Sequence, residues 1–433
     1  AHMNGQVVNA QTLPHIMQMV VESIADEPGV AIQVCSIVYN LAGGYEGSAG
    51  ASPMSQFFQV LATKLLEAAA RPTPGSTKLQ LTAYDALNEL IRCSTADAAN
   101  LVVQLIPVIM QKLNETFSLQ PQSQTEKEAK ILLQGLLCGV LQIIIQKLNM
   151  TDSQATKGGL ASFSDMMMNM FLQVLSAESG TVNEDAMRAI GALVDALGED
   201  FAKYMEAFFP YVQRGLANFA EWQVCSSTVG IVEDLCRSLK RGIAPYCDRI
   251  VKALYEASVS PELHRSVKPV ILSSFGEIAL AIEEGFKSYL PYLMGILQSA
   301  AQLSQQSVGS DDEDIIEYNN TLREAILESL SGILQALKPD RATMQGVRDS
   351  YAPFILDFLQ SIVSDPERED TVVKSAVGVL GDIADCMDQV GPLLAQKPFC
   401  MQFLSESQKH QNSSIREMAA WAENLVRQKH LHV

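Results

Sequence analysis

The chain has 433 residues, 48% of them hydrophobic and only 6% aromatic, and a formal net charge of −18. It is too long for one single-core domain, and its wealth of Leu, Ala, Ile and Val suits packed helices better than strands. So acidic a surface repels a nucleic-acid duplex, and its natural complement is a basic protein partner.

From the N-terminus, Ala1-His2-Met3 reads as a cloning remnant, and residues 4–433 read as one continuous run of paired apolar-periodic segments. The pairs are expected to begin near Leu13 and Val30, Met54 and Lys78, Ala98 and Lys127, Phe163 and Asn183, and Phe201 and Trp222. They continue near Ile243 and His264, Phe286 and Asn320, Tyr351 and Thr371, and Leu393 and Ser414, about nine in all. The register is clearest in "GEDFAKYMEAFFPYV", "KRGIAPYCDRIVKAL" and "EEGFKSYLPYLMGIL", where Phe201, Ile243 and Phe286 fall 42 and 43 residues apart. Two helices per ~40–47 residues is the period of HEAT and armadillo repeats, and predicts an all-α solenoid. Long interhelical loops are expected at 118–127 and 302–320. Prolines 245, 291 and 353 sit near expected first-helix starts, whereas Pro210 lies further in, where it should bend its helix. The apolar stretch "ILLQGLLCGVLQIII", 131–145, is interrupted by Gln134 and Gln142 and reads as a buried helix rather than a membrane span. Eight cysteines without a C-x-x-C pair read as small buried hydrophobes in a reducing compartment.

Stacking buries the apolar stripe of each pair, and second helices usually line the concave side of such a stack. Their remaining polar stripe is acidic here: Asp195, Glu233, Asp234, Glu277, Glu324, Glu328, Asp382 and Asp385. Each alone is an ordinary solvated residue. Their recurrence on one kind of helix points to a basic ligand.

"FAKYMEAFFPYV", "WQVCSSTVGIVEDLCRSL", "HRSVKPVILSSFGEIALAI" and "FKSYLPYL" resemble the C-terminal half of the importin beta family of nuclear import receptors, and the likeness runs to "REMAAWAENLVRQ". The resemblance implies a HEAT superhelix that binds basic cargo, or the basic importin-beta-binding helix of importin alpha, on its concave face. It also implies Phe-Gly nucleoporin contacts on the outer face, for which Phe208, Tyr246, Ile250, Leu254 and Tyr292 are candidates. Release by the GTPase Ran would use repeats of the other half, so that this chain would be a fragment. Shuttling between cytoplasm and nucleus, through the pores of the nuclear envelope, follows. The family's concave-face Trp after the Cys of the first second helix is replaced by Ser36, next to Cys35; its terminal Trp is matched by Trp421, which would stack on a Lys or Arg of the bound helix.

Enzyme readings fare poorly. In "SVGSDDEDIIEYNN" the carboxylates Asp311, Asp312, Glu313, Asp314 and Glu317 miss the D-D-x-x-D spacing, because the fifth position is Ile315, and an EF-hand would need glycine at its sixth. No P-loop, H-E-x-x-H or clustered histidine occurs, so no catalytic residue, metal or cofactor is assigned. The acidic cluster is expected at the rim of the inner surface, either adding to an electrostatic trap or serving as a solubilising loop. A HEAT scaffold that holds together another multiprotein complex remains the alternative function.

Overall fold

The computed structural model of the chain describes residues 11–45, 52–72, 76–151, 154–177, 184–305 and 312–430. Residues 1–3 and Asp311 lie outside them. The described residues are helical without a strand, and fall into two compact units, Ala1–Gly198 and Glu199–Val433.

Unit 1 contains four helix pairs: α1 (Leu13–Ser23) with α2 (Pro28–Gly43), α3 (Phe58–Ala69) with α4 (Ser76–Arg92), α5 (Ala99–Phe117) with α6 (Gln124–Met150), and α7 (Gln154–Leu175) with α8 (Glu184–Leu197). The second helices stack in order, α2 on α4 on α6 on α8. Unit 2 repeats the scheme. Its pairs are α9 (Met205–Leu216) with α10 (Trp222–Leu239), α11 (Ala244–Val259) with α12 (Val267–Ile282), α13 (Leu290–Gln305) with α14 (Glu313–Leu337), and α15 (Arg341–Val363) with α16 (Asp370–Cys386). A broken first helix, α17 (Gly391–Ala395) and α18 (Phe399–Ser407), then packs on α19 (Ser413–His430). Helices α10, α12, α14, α16 and α19 form the second-helix layer. Each unit is thus a HEAT-type stack, as the period predicts.

Both expected long loops shrink. Ser123 accepts a hydrogen bond from the Glu126 amide at 3.2 Å, while the Glu126 carboxylate accepts from the Gln122 amide at 2.7 Å, so α6 starts early and only 118–123 stay non-helical. Likewise α13 runs to Gln305 and α14 starts at Glu313, capped by Asp312, which accepts from the Asp314 amide at 3.1 Å. Helix α15 starts ten residues before Tyr351 because Asp340 caps it through the Thr343 amide, which leaves Pro353 inside the helix. Pro210 also falls inside its helix, α9.

The stretch 131–145 belongs to α6, whose 27 residues are long and apolar enough to cross a membrane. Half of its apolar window is buried, with Leu137, Cys138, Leu141, Ile144 and Ile145 fully covered in the protein's own core.

Three second helices, α8, α10 and α12, lead out through a left-handed residue that opens a 3-10 turn. Gly198, Lys240 and Glu283 hold φ of 54°, 49° and 49°, with the spacing of the repeat itself. Glycine is at ease there; Lys240 and Glu283 bear a strain of roughly 1–2 kcal/mol each. Ion pairs bridge neighbouring turns, Lys240 with Glu199 at 3.1 Å and Arg241 with Glu283.

Candidate functional site

Where α12 meets α14, glycines replace side chains. A β-carbon on Gly332 would lie 2.7 Å from the Gly276 Cα and 2.8 Å from its carbonyl oxygen, so the two backbones touch. Only residues without a side chain allow that approach. Gly276 and Gly332 line a groove of about 600 Å³ across α10, α12, α14, α16 and α19.

Four of the acids anticipated from sequence meet there: Glu233 on α10, Glu277 on α12, and Glu324 and Glu328 on α14. The last two are four residues apart and share a helix face. Burial first, then the charges of Glu324 and Glu277, push the Glu328 carboxyl above its ordinary range. Burial likewise pushes Glu233 up to about 7, although it accepts a hydrogen bond from Ser273 at 3.0 Å and Arg237 lies nearby. A row of partly desolvated carboxylates that repel one another favours an added cation. Leu280, Leu327 and Met418 supply apolar surface for the stem of a Lys or Arg.

A carboxyl that keeps its proton to about pH 7 when folded, but only to about 4.5 when unfolded, lowers stability as pH rises through that window. Glu233→Gln removes the penalty. It should raise stability at pH 8 by about 1–2 kcal/mol, discounted for partial exposure, and leave it nearly unchanged at pH 5. Thermal melts at the two pH values check this; equal effects at both would refute the assignment.

Other anticipated acids are occupied. Asp382 is only 5% exposed and accepts from Ser331 and from Gln335 at 3.2 Å, which ties α14 to α16 and takes it out of a partner's reach. Asp385 pairs with Lys338 at 2.7 Å, and Asp234 pairs with Arg237 on its own helix. Asp195 lies on α8 of unit 1 and is not among the residues that line this groove. Asp312, Glu313, Asp314 and Glu317 are exposed at the start of α14, where the helix dipole favours carboxylates, and none lines the groove.

The outer-face candidates separate too. Phe208, Ile250 and Leu254 are fully buried, because first helices turn their largest apolar residues inward against the second layer. They offer no slot to a ligand. Tyr246 is half-buried against Phe209, with ring centroids 4.8 Å apart, and Tyr292 alone stands out, 68% exposed.

Trp421 on α19 is 41% exposed. Its ring lies over Gly381 of α16, where an added β-carbon would fall 2.1 Å from Cζ3, and Met418, one turn earlier, lines the groove. Ile415, Ala419, Ala422 and Val426 form the buried stripe of α19, and Trp421 sits beside it. Trp421→Ala should therefore cost well under the ~3–5 kcal/mol of a fully buried Trp. If its ring stacks on a bound Lys or Arg, as the resemblance implies, the change should also weaken a basic helical peptide by up to roughly thirtyfold. Melting together with peptide titration separates the two effects, and unaltered affinity would remove Trp421 from the site.

Sequence reasoning missed Arg237 and Lys374, the two cations among the groove's lining residues. Lys374 could be found by stepping back from Asp382 by four and eight residues along one helix face, through Gly378. The glycine contact left no comparable signal.

A family model described as importin subunit beta-1-like, TPR repeats, matches residues 15–407. Importin subunit beta-1 of Arabidopsis thaliana is 45% identical over 421 residues, which cover 97% of this chain and 48% of the relative. That of Schizosaccharomyces pombe is 29% identical over 426 residues, 96% and 48% of the two chains. A crystal structure of importin beta superposes with a TM-score of 0.88 at 32% identity, covering 98% of this chain and 48% of that one. The Kap95:Nup1 complex shares the fold, with a TM-score of 0.82 at 24% identity over 100% of this chain and 49% of that one. The chain spans about half the length of the curated relatives it matches. The resemblance seen in the repeats is borne out along nearly their whole length: the chain belongs to the importin subunit beta-1 family.

Proposed function

We propose that this chain is the partner-holding part of a nuclear transport receptor, and that the groove of unit 2 takes a basic helix, that of importin alpha or of a basic cargo. The observation that carries this reading is the convergence of Glu233, Glu277, Glu324 and Glu328 on one open groove floored by glycine. Each exposed pair contributes only ~0–1 kcal/mol, so affinity must come from several acting together. The combined change Glu277→Gln, Glu324→Gln and Glu328→Gln should weaken a basic importin-beta-binding peptide roughly ten- to hundredfold. Wild-type binding should also fall steeply with salt. Affinity indifferent to both would leave the scaffold reading in its place.

A nucleoporin contact belongs to the same proposal, at a different place from the one the sequence suggested. Between first helices α3 and α5 of unit 1 lies a mostly apolar groove of about 480 Å³, lined by Phe58, Ala62, Leu66, Leu101, Leu105 and Val108. A Phe ring needs such a slot, and the Kap95:Nup1 structure pairs a protein of this fold with a nucleoporin. Methyl shifts of Leu66 and Val108 on titration with a Phe-Gly peptide test it; unmoved signals would reject the groove. Ran-driven release and shuttling through the pores are part of the reading for the whole receptor.

A further inference from the structure

The groove is not uniformly acidic. Its α10–α12–α14 wall carries the four glutamates, whereas α16 contributes Thr371, Lys374 and Ser375, and α19 contributes Met418 without a charge. The two cations differ in kind. Arg237 is held on the acidic wall by Asp234 and, at 3.7 Å, by Glu277. Lys374 is exposed, and no carboxylate within ion-pair distance of it is seen among the described residues. The acids of its own helix are engaged elsewhere: Asp370 faces His410 at 3.4 Å, Asp382 holds Ser331 and Gln335, and Asp385 holds Lys338. An uncompensated lysine beside four glutamates makes the groove dipolar along the direction in which the second helices stack.

We propose that Lys374 reads the polarity of the bound segment: the groove takes a helix whose cations meet the glutamate wall and whose carboxylate, further along the same face, meets Lys374. This rests on the basic-helix reading above and adds to it a direction and an acidic position. Neighbouring helix axes lie ~8–10 Å apart. A ligand helix crossing them, at ~1.5 Å per residue, passes from α14 to α16 in roughly six residues, so the carboxylate belongs about seven residues, two turns, from the last contacting cation. An all-basic helix would instead set one of its own charges against Lys374.

The test uses three labelled helical peptides: a basic block followed at that spacing by two glutamates, by two glutamines or, in the all-basic version, by two lysines. On the wild-type chain the glutamate peptide should bind roughly two- to fivefold more tightly than the glutamine peptide. Lys374→Gln should abolish the preference and strengthen the all-basic peptide, and Lys374→Glu should reverse the order. Lys374 is exposed, so these variants should melt like the wild type. Equal affinities of the glutamate and glutamine peptides for the wild type, or a preference that survives Lys374→Gln, would overturn the inference while leaving the basic-helix reading intact. Failure of all three peptides to bind would overturn that reading and this one with it.

Discussion

Arg323→Leu should lower the stability of unit 2 by about 3–5 kcal/mol, the largest loss expected from any single substitution considered. Arg323 and Asp365 form an ion pair at 2.7 Å with side chains only 3% and 6% exposed. The guanidinium also donates to the Ser304 carbonyl at 3.2 Å, and Asp365 accepts from the Glu367 amide at 3.0 Å. One residue on α14 thereby fixes the end of α13 and the turn between α15 and α16. Removing the arginine leaves a carboxylate buried without a counter-charge. The pair itself is not optimal, because the Arg323 Nε is buried without a hydrogen-bond partner. Changing both residues to apolar ones should accordingly recover much of the loss. Thermal melts of the two single variants and the double variant check this; a double variant as unstable as either single one would show that the pair contributes more than it costs to bury. Glu324 is next in sequence, so peptide affinity should fall with stability in the single variants.

Gly332→Ala should cost at least ~1–3 kcal/mol through overpacking. The added methyl would meet the backbone of Gly276, with contacts of 2.7 and 2.8 Å, and no side chain can swing away. Helices α12 and α14 would have to part, carrying Glu277 away from Glu324 and Glu328. Weaker peptide binding is therefore expected without any change of charge. Gly230→Ala, where an added β-carbon meets nothing within 4 Å, is the control. In mid-helix it should stabilise by ~0.5–1 kcal/mol. Equal stability of Gly332→Ala and wild type would show that the helices can separate freely.

The repeat and its register were legible because a stack needs the same apolar face every ~42 residues, and Phe201, Ile243 and Phe286 keep that interval. The same interval hid the state of the polar residues. Ser273 and Glu233 are 40 residues apart, Lys338 and Asp385 47, and Ser331 and Asp382 51. Each partner sits one repeat away, so a list of acids could not tell Glu324, which is open to the groove, from Asp382, which is spent on the neighbouring helix. Phe208, Ile250 and Leu254 were misplaced for a related reason. Their spacing marks a helix face, but whether that face turns inward is decided by the layer it packs on. Helix starts at Glu313 and Arg341 moved because Asp312 and Asp340 act as caps, a local signal that the apolar pattern outweighed.

All eight cysteines are buried, three of them in unit 1 and five in unit 2. Burial pushes Cys35 and Cys225 up to about 11, and Cys247, Cys386 and Cys400 up to about 12. Since the thiolate is the reactive form, none of these sulfurs meets an alkylating reagent until its own repeat opens. The chain thus carries built-in strain gauges at known heights along both stacks. Timed labelling followed by peptide mapping would reveal which rung loosens first when a ligand enters or leaves, without adding a single probe.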